Sequence, residues 1–335
     1  MITKLTRRAA ISAVAAAGVF AGATAPSFAA DMTFTLATSG TENDARSVAM
    51  REVFAPMVAG FADYNAGYNG TMFAQGTELD AISRGNLTMS ITSAQELAQF
   101  FPEFSIFATG YVHQDAAHQV RVFNDPLMDP FKKTVEDELG VKLLSVMYLG
   151  KRNVNLRQCR DEVDVQTPAD LAGLNVRMPG TDAWQFLGAA LGFSPTPMAF
   201  SEVYTALSTG AVDGQDNPIP TVVNSKFYEV TCQIALTAHL VDLNYIAFSK
   251  ETWDGLTAEQ QMTVQRAADA AAAYGRLKQL DKENNLADFI RSQGVEIYTP
   301  DLAAFRNHVQ AQYVGSEAAA SWPEGVLDRI NALGN

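Results

Sequence analysis

The stretch from Thr167 to Pro218 does most to limit what this chain can fold into. Leu174-Asn175-Val176-Arg177-Met178 alternates and stops at Pro179-Gly180. Leu174, Val176 and Met178 share one face of a strand, and Asn175 and Arg177 the other. Thr181 is placed to cap a helix that carries Trp184, Phe186, Leu187 and Leu191 and ends at Gly192. A second unit follows, with Ser201 as cap, Glu202 in the first turn and Gly210 as stop, before Asp213-Gly214 leads to Asn217-Pro218. Arg177 thus stands at the carboxyl end of a strand, one step before a helix N-terminus. Open α/β sheets take their ligands there. A guanidinium fork beside the positive end of a helix suits a carboxylate, although the bare pattern equally suits a surface ion pair.

The rest of the chain extends the same alternation. Met32 to Thr38 reads as a strand, Asp44 to Phe61 as a helix, and Thr77 to Arg84 as a helix stopped by Gly85. Leu87 to Ile91 is a short strand entering the turn Thr92-Ser93-Ala94-Gln95. Val141 to Tyr148 is nearly continuous in apolar residues, as in a buried parallel strand. Val241 to Phe248 is another strand, and Thr257 to about Gln293 a helix of roughly 55 Å, long enough to lie across two domains. Strands alternating with helices predict an α/β sheet.

The first 29 residues have the form of an export signal. Lys4, Arg7 and Arg8 make the charged head, Ile11 to Ala25 the apolar body, and Ser27-Phe28-Ala29 a small-x-small cleavage site. Thr6 and the alanines after Arg7-Arg8 fit a twin-arginine signal poorly, so ordinary secretion is expected. Loss of those three cations takes the formal charge from -13 to -16, with 21 Lys+Arg against 37 Asp+Glu. That balance repels phosphate backbones and argues against nucleic acid as a partner. The remaining 306 residues (335 less 29) exceed what one core usually supports, so two domains are expected. Cys159 and Cys232 are the only cysteines. An even count in an exported chain favours a disulfide over two separate buried thiols.

Beyond these patterns, R-M-P-G at Arg177, P-T-P-M-A-F-S-E-V-Y-T-A-L-S-T-G from Pro195 and V-D-G-Q-D-N-P from Val212 resemble signature segments of the TRAP-transporter solute receptors, the DctP-type periplasmic binding proteins. L-G-V-K-L-L-S-V-M-Y-L-G-K-R from Leu139, F-Y-E-V from Phe227 and the long late helix fit in order. The resemblance implies two α/β domains with a ligand cleft between them, braced by one long helix. Carried over, the first domain holds 31–149 and 243–282, the second 150–242 and 283–335. It implies a periplasmic, monomeric protein, not itself in the membrane, that hands a small carboxylate to TRAP permease subunits without a cofactor.

The same resemblance assigns residues. Arg177 matches the family's carboxylate-binding arginine. Asn217 matches a cleft asparagine, where the sequence alone would read an Asn-Pro turn. Phe200 matches a cleft aromatic and equally suits a hydrophobic staple before Ser201. Arg152 matches a second cleft arginine of the sialic-acid receptors, while Lys151-Arg152 alone reads as a solvated pair. Asn244, Thr38 and Ser39 are further matches. Ser93 and Glu96 stand where the sialic-acid receptors place a glutamate and an arginine, which implies a smaller organic acid or a sugar acid as ligand.

Other features point to little chemistry. His113 and His118 read as a solvated pair, His239 as a structural histidine, and Trp184 and Phe186 as core; no metal is expected. No nucleophile elbow, zinc-protease motif or phosphate loop is present. A receptor feeding a membrane sensor and a secreted enzyme acting on an organic acid remain as rivals to the uptake receptor.

Overall fold

A computed structural model describes residues 32–334; the expected export segment lies outside them. Nine strands form one mixed sheet: β1 Thr33–Ala37, β2 Asp63–Gly67, β3 Met89–Ser93, β4 Val141–Leu156, β5 Asn175–Met178, β6 Ser194–Pro197, β7 Gly214–Asn217, β8 Gln233–Ser249 and β9 Glu296–Tyr298. Their order is β2-β1-β3-β8-β4-β7-β5-β6, with β9 paired to β8. The short strands pair in parallel, β1 with β2 and β3, β5 with β6 and β7. The apolar run 141–148, expected in a parallel setting, is antiparallel to its partner β8, and the far end of the same strand, 153–156, is antiparallel to β7. The run is the first half of a longer strand that passes through the whole molecule, while β8 returns beside it.

Two lobes are built on this pair. In the first, Leu143, Val146 and Tyr245 pack with Phe104, Phe107 and Phe131, while their chain neighbours Leu144, Met147 and Ile246 pack with Phe34, Met50 and Phe248. Side chains alternate across a strand, so these clusters lie on opposite faces of the sheet. In the second lobe Ala235 and Leu156 join Val176, Met178, Trp184 and Leu187, and Ile234 joins Val203, Leu207 and Ile290.

The long helix spans Ala258–Ser292, one residue inside the expected limits at each end. Thr257 caps it, with Gln260 completing a capping box. Ala267, Ala268, Ala271 and Ala272 lie in the first lobe's core and Ile290 in the second's, so the helix braces both. Between the lobes the β4–β8 ladder slips register at Tyr148/Gly150 and at Arg152/Val154. Gly150 has φ +130°, and a Cβ there would sit 2.6 Å from both Glu283 and Pro218. Only glycine fits. Glu283, from the long helix, accepts hydrogen bonds from the Tyr148 hydroxyl (2.6 Å) and the Lys151 amide (2.7 Å) at that point. We propose the lobe boundaries there, at 149/150 and 242/243.

The carboxyl tail departs from its expected place. The helix Leu302–Tyr313 packs in the second lobe through Phe305, Val309 and Tyr313. The residues after it, expected with that lobe, return to the first: Ile330 is buried with Phe104 and Phe123, and Val326, Leu327 and Leu333 pack against the same cluster. Their apolar face finds a continuous core only there.

Cys159 and Cys232 are bonded, with Cα atoms 4.9 Å apart across a separation of 73 residues. Closing such a loop stabilises by about 4 kcal/mol in the chain-entropy account. The double variant Cys159→Ser/Cys232→Ser should therefore lose about 4 kcal/mol in denaturant unfolding. A loss below about 1 kcal/mol would show that the bond does not constrain the unfolded chain.

Candidate functional site

The cleft between the lobes is built from strand ends and the helix starts that follow them. Val176 and Met178 point into the second lobe's core, so the period of two turns Arg177 to the opposite side. Thr181 caps the next helix, Asp182–Ala190, its hydroxyl accepting from the Trp184 amide. About 580 Å³ in and around the cleft is unfilled by atoms, part of it open to solvent. Arg177, Asn217, Arg152, Phe200, Asn244, Ser93 and Ser39 all line it. Thr38 does not: it is buried behind the wall, its hydroxyl accepting from the Gly40 amide.

Arg177 is only 1% exposed. Its Nε donates to the Met198 carbonyl (3.0 Å) and Nη2 to the Gln75 side-chain oxygen (3.1 Å). Both acceptors are neutral, and Nη1 meets no acceptor among the described residues. Phe200 offers its ring face 5.7 Å from the guanidinium carbon, within cation–π range. Burial, with Arg152 nearby, pushes Arg177 down to about 9. An arginine keeps its proton in proteins, so the shift expresses the cost of a desolvated cation without an anion. No carboxylate among the described residues bonds Arg177.

Arg152 is the opposite case. It is 3% exposed, but its guanidinium makes four hydrogen bonds, to Asp216 Oδ1, Oδ2 and carbonyl and to Asp242 Oδ2, at 2.6–2.9 Å. The Trp184 ring covers it, 4.4 Å from the guanidinium carbon. His239, fully buried, holds Asp216 from behind at 3.1 Å and takes Thr237 on its other nitrogen. Although burial opposes it, the nearby Arg152 charge holds the Asp216 carboxyl well below its ordinary range. Arg152 is not the solvated residue that Lys151-Arg152 alone suggests; it lines the cleft with its charge paired, and it pins β4, β7 and β8 together. Trp184 is core and cleft wall at once.

The remaining residues set the polar lining. Asn217 Nδ2 donates to Gln215 at 2.6 Å, leaving its oxygen uncommitted. The Asn244 oxygen accepts from Arg46 Nη1, and Arg46 is held by Asp44 through two 2.9 Å bonds. Ser93 caps the following short helix in a reciprocal box with Glu96. Burial raises the Glu96 carboxyl, and Glu78 beside it is pushed up to about 8. Ser201, expected as a cap, is exposed and caps nothing; Glu202 reaches back to the Ala199 amide instead. His113 and His118 are not solvated. Both are buried, with rings 5.3 Å apart, and His118 bonds the Ile330 carbonyl, tying down the tail. Burial drives His113 down to about 3.

Sequence reasoning missed Arg46, Gln75, Asp216 and Asp242. Asp44 as the N-cap before Ala45-Arg46 was the one local signal for Arg46.

The sequence profile of the family described as bacterial extracellular solute-binding protein, family 7 (DctP), matches residues 40–318. The chain belongs to this family. A TRAP periplasmic solute-binding protein from Roseobacter denitrificans, solved with bound 3-deoxy-D-manno-oct-2-ulosonic acid (KDO), is 73% identical, with a TM-score of 0.90 over 90% of this chain and 99% of its own. A second one from that organism, with bound L-galactonate, is 25% identical with a TM-score of 0.81, over 91% of this chain and 99% of its own. The sialic acid-binding periplasmic protein SiaP of Vibrio cholerae is 29% identical over 255 residues, 76% of this chain and 77% of its own. The expected two-domain fold of this receptor family is thereby established. Among the described residues no helix is long and apolar enough to cross a membrane.

The two arginines should separate in mutagenesis. Arg152→Met leaves Asp216 and Asp242 buried without their cation and should cost about 3–5 kcal/mol of folding stability. Arg177→Met removes an unpaired buried charge and should leave the ligand-free melting temperature nearly unchanged while binding weakens by about 2–5 kcal/mol. Calorimetric melting and titration of both variants check this, and equal loss of stability in the two would refute the division of roles.

Proposed function

We propose that this chain is a periplasmic receptor that captures a sugar acid of the KDO type and delivers it to a TRAP permease. The observation that carries the reading is the buried guanidinium of Arg177, with one edge facing the cleft and no anion to meet it. A ligand carboxylate supplies that charge, and a closed, water-poor cleft makes the pair strong. The 73% identity to a KDO-bound relative supports the eight-carbon 2-keto acid specifically. Asp44 and Asp242 line the same cleft but are already paired with Arg46 and Arg152, which leaves the Arg177 guanidinium as the cation without an anion among polar groups that ligand hydroxyls can meet. A polyhydroxylated monocarboxylate fits this polarity. The Asn217 oxygen offers a further acceptor. Capture and release, without bond breaking, is the chemistry proposed.

Isothermal titration with KDO, D-glucuronate, L-galactonate and succinate tests the reading. KDO should bind tightest and succinate not at all. At 100-fold its Kd, KDO should add about 2.7 kcal/mol of stability, a rise of roughly 5 °C in melting temperature. KDO recovered from the complex should be unchanged by mass spectrometry. Failure of every sugar acid to bind would overturn the proposal, and turnover would replace the receptor with an enzyme.

A further inference from the structure

Gln75 lies outside every family segment that drew attention to the cleft, yet it touches the arginine at its centre. It occupies the second position of a tight turn, Ala74–Thr77, closed by the Thr77 amide on the Ala74 carbonyl at 3.0 Å. Gly76, third in the turn, has φ +90°, the backbone that type II turns demand of this position. The Gly76 amide is held in turn by Glu78 at 2.7 Å. This turn belongs to the first lobe. From its corner the Gln75 side-chain oxygen crosses the cleft and accepts two hydrogen bonds from the second lobe, from Arg177 Nη2 and from the Phe200 amide, both at 3.1 Å.

We infer that Gln75 is the positioning residue through which carboxylate capture drives closure. The inference rests on the reading of Arg177 as the carboxylate site. An amide oxygen has two lone pairs, and both are used here on donors that face water when the lobes part. Gln75 therefore orients the guanidinium, with Met198 fixing Nε and Gln75 fixing one side of Nη2, so that Nη1 and the rest of Nη2 form the fork that meets the ligand. Being neutral, it cannot cancel the charge. The empty closed form keeps a buried unpaired cation and is disfavoured, whereas the occupied closed form has that charge neutralised. The contact thus holds the lobes shut only in company with an anion. A neutral side chain at this place makes closure conditional.

Two substitutions test this. Gln75→Ala removes both cross-cleft bonds; KDO should dissociate at least about 10-fold faster, with its association rate within about threefold of wild type. Gln75→Glu keeps the reach and brings its own carboxylate to Arg177. This variant should close without ligand, its small-angle scattering matching the curve calculated from the closed structure, and should bind KDO at least about 30-fold more weakly. Melting of the ligand-free variants confirms that both fold. A purely structural turn residue would change stability without splitting the two rates or closing the empty protein. Gln75→Ala with unchanged dissociation, or ligand-free Gln75→Glu as open as ligand-free wild type, overturns the inference. Should wild type take up no KDO, the proposed ligand falls, and the ligand-free scattering of Gln75→Glu still decides the role of Gln75.

Discussion

The antiparallel pairing of β4 with β8 is the constraint on which the rest depends. Each strand belongs half to one lobe and half to the other, and the parallel units are added outward from the two halves. The charge cluster of Arg152, Asp216, Asp242 and His239 sits where the strands change lobes. Buried ion pairs add little net stability over apolar packing, but they penalise every arrangement that separates the partners. Here they fix three strands in register beside the ligand cleft. Arg152 and Asp242 form part of the floor of the cleft.

Against that fixed floor Arg177 is deliberately incomplete. The two arginines are similarly buried, and their difference lies wholly in what faces them: two aspartates for one, a carbonyl and an amide for the other. In the proposed function, burial without compensation is what suits Arg177 to bind a ligand, as burial with it suits Arg152 to hold strands. On that proposal the desolvation cost is borne by the empty protein and relieved when an anion arrives, which would give affinity and closure one source.

What the sequence disclosed, and what it hid, follows from range. The strand at 175–178, the Thr181 cap and the limits of the long helix are written in local periodicity and capping residues, and all stand within a residue of expectation. The disulfide was legible from count and compartment. The aspartate partners of Arg152 were hidden because they lie 64 and 90 positions away, and a Lys-Arg pair looks solvated until they are in place. Gln75 had no periodic or motif signal at all, with its partner 102 positions distant. The antiparallel setting of β4 was hidden because an apolar run records burial but not the direction of its neighbours. The tail misled for the same reason: its apolar face is plain, but not which core it would join.

That tail gives the molecule a fourth tether. β4, β8 and the long helix each pass from one lobe to the other, and the segment joining Tyr313 to the helix Val326–Leu333 does so again, seated on the second lobe at one end and on the first at the other. A body joined to another by two neighbouring strands can swing widely or twist about them. The long helix is bonded directly to β4, and the tail adds a further passage, so a wide rotation that stretches any one of them is opposed. Four passages, where two strands alone would serve as a hinge, thus set a limit to how far the jaws can part.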